Sequence, residues 1–574
     1  MVPAGLQVSA TEGDIVLDGA AVAAGRAGRD MPEEIKAQVL WSRLIAVVEE
    51  QARTLMRTAF SPTVREAGDL SAGLFDLEGR LIAQAVTGTP GHVNSMAACA
   101  RHFLAKHPPS TMAEGDHFIT NDPWLTSGHL HDVTVLSPAF QNGKVVGFFA
   151  CTCHQVDIGG LGQGPDGRSV YEEGLYIPIL RLARGGQLNE DLLDIVRANV
   201  RQPEPVVGDI LSYVTANEVS ARRLAATLDE FGQDGLARIA EFLLERSAAG
   251  MRAAIEALPQ GTFTSHMRLD GYDQPVDIHC AVRMDGKRIR VSFDGTSAAS
   301  AKGINLVLNY TRAYAAFGIR AAVAPDVPNN AGSLSLVEVD APVGSILNVQ
   351  HPAPVCARHI IGQFLPEVAL GALAGALPGR IPAEGAACNW GLQLRGGMEG
   401  GAPFEILFFN AGGSGARPQG DGLSATAFPS GIRSIPVEIC EVAAPIVIWR
   451  KELLPDSGGA GQYRGGLGQR VEVATRDGAP FQVFGIFDRV RNPARGREGG
   501  ADGAPGWVGT AAGAPMRSMG LQTVPAGEIL RIDVPGGAGY GEPSRRAPEA
   551  IQRDLRLGYV TPETAQHFHP GAVG

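Results

Sequence analysis

Residues 121–160, NDPWLTSGHLHDVTVLSPAFQNGKVVGFFACTCHQVDIGG, gather His129, His131, Asp132, His154 and Asp157 around what reads as a single β-hairpin. Asn142-Gly143 is a tight-turn pair, and apolar, β-branched and aromatic runs flank it on both sides. Residues that face each other across a turn have position numbers with a constant sum. Asp132 with His154 and His129 with Asp157 share one such sum, a single residue away from that of a two-residue loop closed by Gln141 and Lys144. The open end of the hairpin should therefore bring His129 and Asp132 beside His154 and Asp157. A slip of one residue would turn a side chain to the other face, and Pro138 near the turn is where a bulge would absorb the difference.

Two imidazoles and a carboxylate on the rigid end of a sheet suit a divalent Zn, Mn or Fe ion and leave positions open for chemistry. A closed structural zinc site would more often use thiolates. The competing reading is a patch of hydrogen-bonded polar loop residues. Glu66 and Asp69 sit where a helix gives way to a loop, and either could complete a metal shell or simply serve helix-end and turn chemistry. His92, in PGHVNSM, could cap the next helix or face the site.

The elements that must position these groups are α+β: a large, mixed, multi-layer protein, β-rich with antiparallel hairpins, a long N-terminal helix and a helical pair near the middle. Pro32-Glu33-Glu34 is good first-turn chemistry, and Ile35, Val39, Leu44, Val48, Ala52, Leu55 and Ala59 recur at nearly helical spacing. That helix should pack on the sheet holding the hairpin. The glycine-rich run GGLGQGPDGRS after His154 has room to act as a wall or lid. Two helical patterns within 208–258 are separated by Gly232-Gln233-Asp234-Gly235 and predict an αα-hairpin, while Asp285-Gly286 marks a second β-hairpin. Short helices are expected at 313–324 and 364–377, and a charged one ending at Gly558. The implied organisation is an extension over 1–30, a metal-bearing α/β domain over 31–205, a helical hairpin over 206–260, a mixed β-rich domain over 261–440, a glycine-rich β domain over 441–545 and a helical tail over 546–574.

At 574 residues the chain exceeds what one hydrophobic core usually serves, and 44% hydrophobic content can fill several. A formal charge of −11 argues against a nucleic-acid partner. No run approaches a bilayer span and the opening residues lack a signal-peptide pattern, so we expect a cytoplasmic protein with no membrane partner. The seven cysteines are too sparse for a disulfide framework. Cys151 and Cys153 should share one buried strand face rather than bind metal. Glycine clusters at 410–422, 456–470 and 535–543 lack a phosphate-loop pattern and read as structural turns, so no nucleotide site is expected in this chain. Ser414 lacks the spacing of a nucleophile elbow, and Arg417, Asp421 and Arg464 read as solvated loop charges.

The runs FSPTVREAGDLSAGLFDLEGRLIAQ, GTPGHVNSM, ITNDPW, GHLHDVTV and CHQVDIGG, with PNNAGSL, GGSGARPQGDG, DSGGAGQYRGGLG and PGGAGYGEP further on, resemble the hydantoinase B/oxoprolinase family. That family includes the N-methylhydantoinase beta-type subunits and is related to the acetone carboxylase alpha subunit, and the likeness covers nearly the whole chain. It implies a metal held by His129, Asp132 and His154, with Asp69 as a further ligand, and with Glu66 and Asp122 as other members of the site. It also implies a hydantoinase A-type partner subunit that binds ATP and phosphorylates a carbonyl or bicarbonate oxygen, in a hetero-tetramer or larger assembly. His131 departs from the resemblance, since proline is common there, and the residues after His154 replace the usual PGS continuation. The expected function is the metal-binding subunit of an ATP-dependent hydrolase of hydantoins, 5-oxoproline or other lactams, with Glu66 or Asp157 handling the attacking water and His92 and Asp122 near ligands or substrate. The alternatives are a ketone carboxylase subunit and a non-catalytic scaffold for the ATPase.

Overall fold

In the computed structural model the described residues are 6–11, 14–19, 33–86, 89–397 and 403–569. The expected extension over 1–30 is thus described only where Leu6–Thr11 pairs antiparallel with Asp14–Gly19. The chain is α+β throughout, with several antiparallel sheets and helices packed on them.

The hairpin occupies the middle of a seven-stranded antiparallel sheet. Its strand order is Leu81–Gln84, Leu70–Phe75, Lys144–His154, Asp132–Gln141, His117–Thr120, Leu180–Arg184 and Gln187–Leu188. Alternation along the strands assigns the two faces. Phe149, Cys151 and Cys153 point into a core shared with helices Glu33–Thr58 and Pro203–Glu230, whereas Phe148 and Ala150 point into a smaller core under helix Pro90–Lys106. The expected stripe of the long helix is buried at Leu44, Val48, Ala52 and Leu55, but Ile35 in its first turn is half exposed. All seven cysteines are buried and free.

The two central helices, Pro203–Glu230 and Ala237–Glu256, are separated by Gly232 and Gly235, both with positive φ, as glycine allows. Their pairing as an αα-hairpin gives way to separate docking. The first lies on the long helix and the hairpin sheet, and the second packs against Ala331–Leu334.

Three four-stranded sheets build the rest. Gly261–Leu269, Val276–Met284, Ile289–Ser292 and Val337–Asp340 form one, the last pair parallel. Two more carry Asn389–Gly396 and Gln469–Thr475 among their strands, and one continuous core joins all three sheets. Helix Leu308–Val323 links this half to the hairpin half by lying on Pro90–Lys106. The contact is tight: a Cβ on Gly91 would stand 2.4 Å from Tyr310 Cε2. At this seam, loops from the second half reach the open end of the hairpin.

The glycine clusters form a layer of backbone packed on backbone. None of the glycines at 412–422 or 458–468 has positive φ, so turn geometry is not what requires them. A Cβ on Gly413 would lie 1.8 Å from Gly466 O, and one on Gly465 would lie 1.9 Å from Gly537 O. The segments are cross-linked by backbone hydrogen bonds, including Gly466 N to Ser414 O, Gly537 N to Gly466 O and Gly459 N to Gly537 O, each 2.9 Å. Absence of a side chain is what permits that spacing.

Candidate metal centre

Cross-strand register fixes the first pair of site residues. Asp132 opens its strand, His154 closes the next one, and the two are direct partners across the ladder. A register shift between Ala139 and Phe140, beside Pro138, supplies the bulge that the sequence required before Gln141 meets Lys144. His129 lies just before its strand and folds back onto it. One ligand atom from each of His129, Asp132 and His154 lies within 4.8 Å of the others, and all three residues are buried.

Hydrogen bonds define which ring atoms are free. His129 Nδ1 lies 2.8 Å from the carbonyl oxygen of Cys356, which can only accept, so Nδ1 carries the proton. Burial, reinforced by the Arg358 charge, keeps this ring neutral by lowering its pKa. His129 Nε2 therefore presents a bare lone pair, and it faces Asp132 Oδ1 at 2.9 Å. Both atoms are buried without a hydrogen-bond partner. Two acceptors held this close repel unless a cation lies between them. At His154 the Gln163 amide nitrogen stands 3.0 Å from Nε2, and both His154 Nδ1 and Gln163 Oε1 are left buried and unpartnered. Turning the Gln163 amide end for end lets its oxygen accept from Nε2–H and frees the His154 Nδ1 lone pair for a metal as well.

The carboxylate is held ready by its surroundings. Burial alone would raise the Asp132 pKa, but the His92 and Arg358 charges hold it well below the usual carboxylate range. Its Oδ2 accepts from Ser127 Oγ at 2.6 Å, His92 Nε2 at 3.0 Å and Arg358 Nη2, leaving Oδ1 to face His129. Arg358 is itself buried, donates to the Ser127 carbonyl and stacks on Tyr310 with its guanidinium carbon 4.0 Å from the ring centroid. Gly128 makes room for it, since a Cβ there would sit 2.8 Å from Arg358 Cδ.

A second carboxylate stands behind the first. His92, in the first turn of helix Pro90–Lys106, donates to Asp132 and places its Nδ1 3.6 Å from Asp69 Oδ1. Burial lowers the His92 pKa, but the two carboxylates outweigh it and raise the value above the ordinary one. Burial raises the Asp69 pKa to about 6 against the pull of His92. Asp69, His92, His129 and His154 line one cavity together with His359 and Asn389 from the second half.

The other expected site residues lie elsewhere. Asp157 is held by Arg201 Nη1 at 2.5 Å and by Gly159 N at 2.9 Å. Glu66 Oε1 accepts from Arg65 Nε at 2.9 Å at the end of a short helix. Asp122 accepts from Trp124 N at 2.9 Å, closing a turn. None of the three lines the cavity of the metal trio. The His131 ring lies 5.4 Å from that of His129 and 5.3 Å from that of His154, with Cys356 Sγ 3.8 Å from its Nδ1. The glycine-rich run after the hairpin is a wall, since it supplies Gln163. Sequence reading missed Arg358, Gln163, His359, Asn389 and the Cys356 carbonyl. Only ARH at 357–359, basic residues in an apolar stretch, carried any local signal.

Comparison with known proteins gives concordant matches. The family profile described as Hydantoinase B/oxoprolinase matches residues 33–543. An uncharacterised protein of Methanocaldococcus jannaschii is 30% identical over 536 residues, covering 91% of this chain and 93% of that protein. A putative D-/L-hydantoinase subunit from Pseudomonas sp. (strain NS671) is 28% identical, covering 93% and 94%. The crystal structure of ATP-dependent caprolactamase from Pseudomonas jessenii superposes with a TM-score of 0.85 at 25% identity, covering 95% of this chain and 99% of that one.

Proposed function

Since the chain belongs to the hydantoinase B/oxoprolinase family, we propose that it is the metal-binding subunit of an ATP-dependent hydrolase that opens a cyclic amide. His129, Asp132 and His154 would hold a divalent Zn, Mn or Fe ion. The observation that carries this reading is the set of buried atoms His129 Nε2, Asp132 Oδ1 and His154 Nδ1, converging where nothing among the described residues satisfies them. Such an ion supplies Lewis acidity, polarising a carbonyl and lowering the pKa of water.

The residues around it divide the remaining work. The Cys356 carbonyl fixes the His129 tautomer, and Gln163, with its amide turned to accept from Nε2–H, would do the same for His154. Arg358 offsets the Asp132 charge on the side away from His129. Asp69, with its pKa raised to about 6, is placed to take a proton from an attacking water, and His92 Nδ1 stands next to the oxygen that would receive it. Glu66 and Asp157 are engaged by Arg65 and Arg201, so in this reading the proton passes to Asp69.

A ring amide is a poor electrophile and needs prior activation. No G-x-x-x-x-G-K-[ST] loop occurs in the sequence, which supports ATP being bound by a hydantoinase A-type partner that phosphorylates the carbonyl oxygen. Water then adds to the activated carbon and the ring nitrogen leaves as the protonated amine. A second water releases phosphate from the acyl phosphate. The Pseudomonas hydantoinase relative is itself described as one subunit of its enzyme, which supports such an assembly.

The test is to purify the full chain with its ATP-binding partner and follow hydantoin, 5-oxoproline and caprolactam in the presence of ATP. The expected result is ATP-dependent ring opening of at least one of them, lost in His129→Ala. Absence of ring opening across the panel contradicts the proposal, as does bicarbonate-dependent consumption of a ketone.

A further inference from the structure

Asn389 lines the same cavity as His129 and His154 and has no part in the roles assigned so far. It is 5% exposed, yet neither its Oδ1 nor its Nδ2 has a hydrogen-bond partner among the described residues. A buried carboxamide with both ends unmade is costly, and native proteins seldom keep one without a use for it. Its backbone is fixed. Asn389 N donates to Gln363 Oε1 at 2.9 Å, and Asn389 pairs with Ala411 at the start of strand Asn389–Gly396. The chain reaches that strand from the glycine layer, where Ala386 N bonds Gly413 O at 2.8 Å. A rigid support thus holds an unsatisfied amide at the cavity wall.

We propose that Asn389 is the residue that selects a cyclic amide, by pairing its carboxamide with the N–H and C=O on one edge of the ring. The proposal rests on the reading of this cavity as the substrate site. A side-chain carboxamide presents one donor and one acceptor side by side in a plane. Its complement is an amide whose N–H and C=O lie on the same side, which is the cis arrangement. Small rings enforce cis, whereas an open-chain secondary amide is almost always trans and turns the two groups apart. A lactam, a hydantoin or 5-oxoproline fits. A ketone or a lactone offers only the acceptor and leaves Asn389 Oδ1 unpaired, a mismatch that polar sites penalise strongly. Asn389 acts in choosing the ring, because the edge is intact until the carbonyl oxygen is phosphorylated.

The experiment measures binding of four five-membered rings of similar shape to the full chain by calorimetry: 2-pyrrolidinone, N-methyl-2-pyrrolidinone, γ-butyrolactone and cyclopentanone. The wild type is expected to prefer 2-pyrrolidinone by about tenfold or more over the other three. Asn389→Leu should bring all four within about threefold of one another. Asn389→Ala removes both the donor and the acceptor with less bulk than leucine, so it should also lose the preference, and it serves if the leucine variant fails to fold. No binding, equal binding of all four by the wild type, or an unchanged preference in a folded variant overturns the proposal. A preference lost on substitution, in a chain that opens no ring with its partner, upholds Asn389 and refutes the hydrolase reading. Ring opening with no wild-type preference does the reverse.

Discussion

The glycine layer and the metal cavity are built on opposite principles. In the layer, backbone segments lie so close that a single Cβ has no room, and neighbouring backbone groups bond one another. In and beside the cavity, His129, His154, His359, Asn389 and the adjoining Asp132 each keep at least one buried polar atom without a partner among the described residues. By motif the two regions look alike, since glycine runs and histidine clusters both suggest ligands. Physically they differ, because a site for something else is where hydrogen-bonding capacity is left over. The satisfied region is scaffold, and the unsatisfied one is where chemistry is placed.

The largest expected effect falls on the scaffold. Gly413→Ala would drive a methyl group to 1.8 Å from Gly466 O, with no flexible side chain to move aside. We expect insoluble protein or a loss of more than about 4 kcal/mol, beyond the range of ordinary substitutions. Soluble, native-like Gly413→Ala protein by thermal denaturation would break the contrast between the regions.

Inside the cavity the cost should be electrostatic. Arg358→Leu leaves Asp132 buried without its guanidinium partner, and in chelator-treated protein should cost about 3–5 kcal/mol in urea denaturation. Adding Asp132→Asn should recover part of that loss, because the stranded charge is then removed. If the double variant is no more stable than the single one, charge balance is not what Arg358 provides.

A smaller effect is expected at Glu173, which connects the two halves. Its Oε1 accepts from Val355 N at 2.7 Å and Cys356 N at 2.9 Å, fixing the segment whose carbonyl orients His129. Burial raises its pKa to about 8 despite those bonds. The fold thus keeps a proton that the unfolded chain gives up near the ordinary carboxyl value. Stability linked to this group is full below that value and falls as pH rises through about 8. Glu173→Gln should flatten that decline, which across pH 5–9 would amount to a few degrees in Tm. An unchanged slope would show that other groups set it.

Much of the hairpin was legible because its signals are local. Asn142-Gly143 sets the turn, the alternating residues set the faces, and the one-residue discrepancy in register appears as the bulge beside Pro138. The sequence also separated the buried Cys151 and Cys153 from the ligand candidates. Asp157 misled because proximity along the chain does not fix direction: past His154 the strand ends, and Arg201 draws the carboxylate to itself. Arg358, His359 and Asn389 lie more than two hundred residues from the hairpin, and nothing near them announces the seam that brings them there. The glycine clusters were read as turns, although their spacing reflects close backbone approach, a property of neighbouring strands that no single segment encodes.

The most direct test of the contrast is metal content. The full chain is stripped with chelator, equilibrated with zinc or manganese in separate samples and assayed by elemental analysis, beside His129→Ala, His154→Ala and a Val343→Ala control at an exposed position. We predict about one ion per chain in the wild type and control, and at least tenfold weaker retention in both histidine variants with unchanged circular dichroism. Equal metal content in the wild type and both histidine variants would contradict the account.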